Sequence, residues 1–163
     1  MPMQSLQDLF EDELKDTYNA EKQILKALPR MAKKASSDAL RDAFELHEEE
    51  TREHVQRLEQ IFKLMGKPAR GKACKAMQGI VEEGKEMMEE DMEPEVMDAA
   101  LIASAQRVEH YEIAAYGTLR TFAKQLGEKE IAQLLQETLD NEGETDKKLT
   151  KLATTRINPR AES

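Results

Sequence analysis

Apolar positions recur at alternating steps of three and four residues through five stretches of this chain, the period of a helix that buries one face. The first stretch runs Phe10, Leu14, Thr17, Glu21, Ile24, Leu28 and Met31, interrupted only at Thr17 and Glu21. The second runs Leu40, Ala43/Phe44, His47, Glu50, His54, Leu58, Ile61 and Met65, apolar at both ends and polar in the middle. A shorter third stretch carries Cys74, Met77, Ile80, Val81, Met87 and Met88. In the fourth, Leu101, Ala105, Val108, Ala115, Leu119, Phe122 and Leu126 form a stripe whose gap falls on Glu112, while the adjoining row through Ile102, Ala105, Tyr116 and Leu119 lands on Glu109. The fifth runs Ile131, Leu135, Thr138, Glu142, Thr145, Leu149 and Leu152, again with a polar centre.

Capping and breaking residues delimit these helices. Ser5 with Asp8 three residues on has the form of a capping box, and Ser36-Ser37-Asp38 is a short break with a new N-cap. Gly66-Lys67-Pro68 closes the second helix, Pro94 suits the first turn of the fourth, and Gly127 ends it. The predicted helices span about 5–35, 37–65, 73–90, 94–126 and 128–153, in one domain over 1–163. Pro29 is expected to kink or loosen the end of the first, and residues 155–163 to fray. Short loops make two antiparallel hairpins, and a long connection with a small helix joins them. That connectivity predicts an all-α, ferritin-like four-helix bundle with a short helix in the crossover.

Composition agrees: of 163 residues, 35% are charged and 4% aromatic, and Ala, Leu, Glu, Lys and Gln favour helices. A net charge of −9 argues against nucleic acid or anionic membrane as a partner and suits cations. No apolar run approaches a membrane span, and the first residues show no signal-peptide pattern. Cys74 is the single cysteine. These features predict a cytoplasmic location.

Each long helix thus carries a carboxylate on its stripe near its own midpoint: Glu21, Glu50, Glu112 and Glu142. Folding the first hairpin about residues 36–37 brings Glu21 level with roughly residue 52, beside Glu50. Folding the second about Gly127 brings Glu112 level with Glu142, and Glu109 near Thr145 and Asp146. Four glutamates buried at one level repel one another unless a cation joins them. The expected ligand set is Glu21, His47, Glu50, Glu109, Glu112, Glu142 and Asp146. Glu50 and Glu142 are expected to bridge, with Glu21 and Glu112 terminal. His54 and His110 are read as lying outside the metal's contact shell, and Asp16 beside it or at the surface. No Glu-x-x-His occurs, although two-metal bundles use it on two helices; His47-x-x-Glu50 has the reverse order, and Asp146 follows Glu142 by four. Oxygen-rich ligands with one or two imidazoles suit two iron ions, with manganese as the alternative.

The strings His47-Glu48-Glu49-Glu50-Thr51, Val108 through Leu119, Glu137-Thr138-Leu139 and Asp16 through Gln23 resemble the YciE/YciF group of ferritin-like, bacterial stress-associated proteins, over about residues 4–155. The resemblance implies a rubrerythrin-related bundle with a dinuclear metal centre and a homodimer. It implies no substrate. The expected chemistry is Fe(II) oxidation by O2 or peroxide, with a non-catalytic bundle whose metal is structural as the rival reading.

Overall fold

The computed structural model describes residues 2–162. Its helices are α1 (Leu6–Lys34), α2 (Asp38–Leu64), α3 (Lys75–Glu89), α4 (Pro94–Gln125) and α5 (Lys129–Leu152), followed by a π-helical turn, Ala153–Ile157, and the short α6 (Asn158–Glu162). The five main helices begin and end within two residues of the predicted bounds. Their ends are fixed locally. The Ser5 hydroxyl accepts from the Asp8 amide while the Asp8 carboxylate accepts from the Ser5 amide, and Ser37 caps α2 through the Leu40 amide. Gly66 and Gly127 adopt positive φ, 67° and 76°. Each closes a Schellman motif, with Lys67 N–H donating to Phe62 O and Glu128 N–H to Ala123 O, both at 2.9 Å.

Pairing of α1 with α2, α4 with α5, α1 with α4 and α2 with α5 gives a four-helix bundle. Contacts from Glu50 to Thr145, His54 to Asn141 and Arg57 to Thr138 run in opposite sequence directions, so α2 and α5 are antiparallel. At one end, Asp98 of α4 accepts from the Ser36 amide at 2.8 Å, the Ser36 hydroxyl at 2.7 Å and the Ser37 amide at 3.0 Å. This buried carboxylate ties the α1–α2 turn to the start of α4. The crossover lies against α1: Asn19 accepts from the Cys74 amide and Gln23 donates to the Cys74 carbonyl. Met77 then anchors α3 in the core.

The core is divided. One apolar cluster is built on Ile24, Leu28, Leu40, Phe44, Leu101 and Leu149, the other on Phe10, Leu14, Leu58, Phe62, Leu119 and Leu135. The polar midpoints of the four long helices lie between them.

Helix α1 runs through Pro29 to Lys34, and Leu28, Met31 and Ala32 keep its last turns in the core. One expectation is corrected. Residues 155–162 are helical rather than frayed, and Ser163 lies outside the described residues. Asn158 N–H donates to Ala153 O. This wide turn brings Ile157, 2% exposed, into the core beside Ala153.

Replacing Asp98 with Ala leaves two backbone amides and a hydroxyl without their acceptor. The expected loss is about 2–4 kcal/mol of unfolding free energy, read as a lower urea midpoint with unchanged helix content by circular dichroism.

Candidate metal centre

Between the two apolar clusters, α1 contributes Glu21, α2 His47 and His54, α4 Glu109 and Glu112, and α5 Glu142, each 5% exposed or less. Their ligand atoms form two groups. Glu21, His54, Glu112 and Glu142 each offer one atom within 4.8 Å of the others, and so do His47, Glu109 and Glu142. Glu142 belongs to both groups, the position of a bridging carboxylate. A first-row divalent ion with bonds of about 2.0–2.2 Å spaces its ligand atoms within about this range.

The distances show convergence on shared points. His54 Nδ1 lies 2.9 Å from Glu142 Oε1 and 3.2 Å from Glu21 Oε2, yet none of these three atoms makes a hydrogen bond. Both oxygens of Glu21, Glu112 and Glu142, and Oε2 of Glu109, are buried without a hydrogen-bond partner among the described residues. An unsatisfied buried polar atom costs about 1–3 kcal/mol, more when charged. A pair of divalent cations would supply the missing partners, so the donor set fits a dinuclear metal group. The imidazole is also prepared for that role. His54 Nε2 lies 2.6 Å from Asn141 Oδ1; donation there leaves the Nδ1 lone pair facing the cluster. His47 Nε2 lies 2.5 Å from Glu109 Oε1.

Without metal, protons must balance this charge. Burial opposes protonation of both imidazoles, but their carboxylate neighbours outweigh it. Glu109 and Glu50 hold His47 well above the usual histidine value, and Glu142 and Glu21 raise His54 to about 10. Burial pushes Glu109 well up, reinforced by Glu142. Burial, with the charges of Glu21 and Glu142, does the same to Glu112. For Glu142 burial acts upward, but the neighbouring Glu109 and the charge of His54 outweigh it and hold it below the carboxylate range. The Tyr116 hydroxyl, 1% exposed and unpartnered, is raised by burial and by Glu21 and Glu112.

The sequence-based ligand set is redrawn at three positions. His54 is inside the cluster. Glu50 is not in either group; its side chain is 19% exposed, 3.6 Å from His47 Nδ1, and accepts from the Thr145 hydroxyl at 3.2 Å. The cause is a one-residue slip on α2. The buried row is Leu40, Phe44, His47, Thr51, His54, Leu58 and Ile61, so Thr51 occupies the stripe position assigned to Glu50. The seven-residue step from His47 to His54 was the available signal, because it keeps both on one face. Asp146 turns to the α4 flank, with Oδ1 3.2 Å from His110 Nε2 and Gln106 donating to it. His110 is an exposed side chain. Asp16 accepts from the Tyr111 hydroxyl at 2.7 Å, and that hydroxyl lies 3.1 Å from Cys74 Sγ. Tyr18 packs edge-on against Phe62.

These protonation states give two expected outcomes. In metal-free folded protein His54 keeps its proton up to about pH 10, whereas the unfolded imidazole releases it near 6.5. That contribution to stability is present below pH 6.5 and lost as pH rises toward 10. Denaturant midpoints of metal-free protein should therefore fall across this window, with a smaller fall in His54→Gln. Divalent metal binding at neutral pH should release protons to an indicator dye, and affinity should weaken as pH falls.

The chain is similar to known proteins along nearly its whole length. Residues 5–162 match the family model described as a domain of unknown function, DUF892. The chain is 46% identical to Protein YciF of Escherichia coli (strain K12) over 164 aligned positions, covering 100% of this chain and 99% of that protein. The crystal structure of the E. coli stress protein YciF superposes with a TM-score of 0.92, over 96% of this chain and 99% of that one. YcfI of Rhodopseudomonas palustris, described as a candidate structural protein, is 41% identical with a TM-score of 0.89 over 90% and 94% of the two chains. A Xanthomonas campestris protein at 22% identity, with a TM-score of 0.75, shares the fold. With a match along nearly its whole length and a full-length relative in YciF, the chain belongs to the DUF892 family.

Proposed function

We propose that this protein is a dinuclear metal–carboxylate protein that holds two iron ions, or manganese, and oxidises Fe(II) with O2 or peroxide. The observation that carries this reading is the set of unpartnered carboxylate oxygens on Glu21, Glu109, Glu112 and Glu142, facing two imidazoles in a sealed layer. Iron bound there supplies one-electron oxidation shared between two ions. The protein's residues do the rest. Glu142 spans both positions, Asn141 fixes the His54 tautomer, and the two apolar clusters exclude bulk water. The oxygen-rich donor set favours iron or manganese over softer ions. In this reading the protein is a cytoplasmic homodimer active during stress, a role supported by its resemblance to the E. coli stress protein. Its free, buried Cys74 suits a reducing compartment. Among the described residues, no helix is long and apolar enough to cross a membrane.

Anaerobic titration should load about two Fe(II) per chain. Adding O2 or peroxide should then convert them to Fe(III) faster than Fe(II) in buffer. Failure to bind iron overturns the proposal. Binding without faster oxidation selects the second reading, in which metal only staples the bundle. The position of the site between two cores favours that alternative, and so does the description of YcfI.

Exchanging Glu112 for Gln separates metal binding from packing. It removes a buried acid that other carboxylates repel. The metal-free variant should be as stable as wild type or more so, by up to about 1–4 kcal/mol, while the rise in melting temperature caused by Fe(II) or Mn(II) should largely disappear. Scanning calorimetry with and without metal measures both.

A further inference from the structure

The cluster is unevenly buried. Side-chain exposure is 0% for Glu21 and 1% for His54, Glu109 and Glu142, but 6% for His47 and 19% for Glu50. The more open side faces the α2–α5 seam. A surface pocket of about 30 Å³ lies there, lined by Ala43, Leu46, His47, Glu50, Thr145 and Lys148 among others. One water needs about 10–15 Å³ of such space, so the pocket admits a water-sized species and no organic substrate. His47 forms part of its wall and reaches Glu109 on its other edge. A rival approach also ends at His47 and Glu109, from the α1–α4 side past Ala27, Leu28 and Val108. That space is about 10 Å³, and its lining has no carboxylate outside the cluster itself. An entering cation sheds water only where fixed oxygens replace it. Only the α2–α5 path offers one at the surface, the Glu50 carboxylate oriented by Thr145.

We propose that the α2–α5 pocket is the entry port of the metal cluster, and that Glu50 is its receiving carboxylate, passing divalent cations inward past His47 to Glu109 and Glu142. The port also limits the oxidant to molecules of the size of O2 or hydrogen peroxide. This inference rests on the dinuclear metal reading above. It gives Glu50, left outside the two ligand groups, a role in filling them. The two metal positions become unequal: the one at His47, Glu109 and Glu142 adjoins the port, and the one at Glu21, His54 and Glu112 lies behind it.

Co(II) uptake followed by stopped-flow absorbance tests this with the full-length protein. Ala43→Phe fills the port from a half-buried position. Glu50→Gln removes the charge but keeps an acceptor for Thr145. Both should reach the wild-type final Co(II) stoichiometry, at rates lower by about tenfold or more, while Ala27→Phe on the rival path leaves the rate unchanged. Wild-type rates in both Ala43→Phe and Glu50→Gln would overturn the port, as would slow uptake in Ala27→Phe alone. If Ala43→Phe fails to fold, Glu50→Gln decides. A lower final stoichiometry in Glu50→Gln would make Glu50 a resident ligand and overturn its receiving role. Absence of Co(II) binding by wild type would sink the metal reading and the port together, whereas normal binding with unaltered rates removes the port alone.

Discussion

The structure depends on one electrostatic constraint: four glutamates and two histidines share a buried layer at the middle of the bundle. Charge of one sign cannot accumulate there, because burial already disfavours each ionised carboxylate and its neighbours add repulsion. The layer has two solutions. Protons on the imidazoles and on Glu109 and Glu112 neutralise it in the absence of metal. Cations bound there would do so as well, because the carboxylate oxygens left without a hydrogen-bond donor lie in two groups that could hold a metal ion. Protons and a bound metal would therefore compete for one set of atoms.

The rest of the fold holds that layer in register. Apolar clusters above and below are built from the same four helices, so no helix slides without uncovering one of them. Schellman motifs at Gly66 and Gly127 stop α2 and α4 at defined residues, and Asp98 fastens the α1–α2 turn to α4. These contacts lie far along the bundle from the acids. They matter to the acids because displacement of one helix by a turn, about 5.4 Å, would leave a carboxylate facing hydrocarbon.

Sealing has a chemical consequence. An apolar roof and floor leave the charges between them poorly screened by solvent. The layer is asymmetric, with its more exposed members, His47 and Glu50, along α2 and α5.

The sequence by itself determined the helices, their order and the level at which the acids lie. Period, caps and glycines are local properties, and loop length fixes which helices run antiparallel. Glu21, Glu109, Glu112 and Glu142 were legible because each interrupts an otherwise apolar row. What only the tertiary structure decided were rotations of less than one residue's arc, 100° on a helix. Glu50 and Thr51 both fit the spacing on α2, and packing against α5 chose Thr51 for the interior, bringing His54 in and leaving Glu50 at the rim. Asp146 was likewise one position off, and its partner His110 on α4 took it outward. The C-terminal residues followed the same rule: a π turn, invisible in the pattern, returned Ile157 to the core. A stripe of threes and fours states which turn of a helix is buried. Which of two adjacent side chains enters is settled by the helix packed against it, because only that helix supplies the space and the partner.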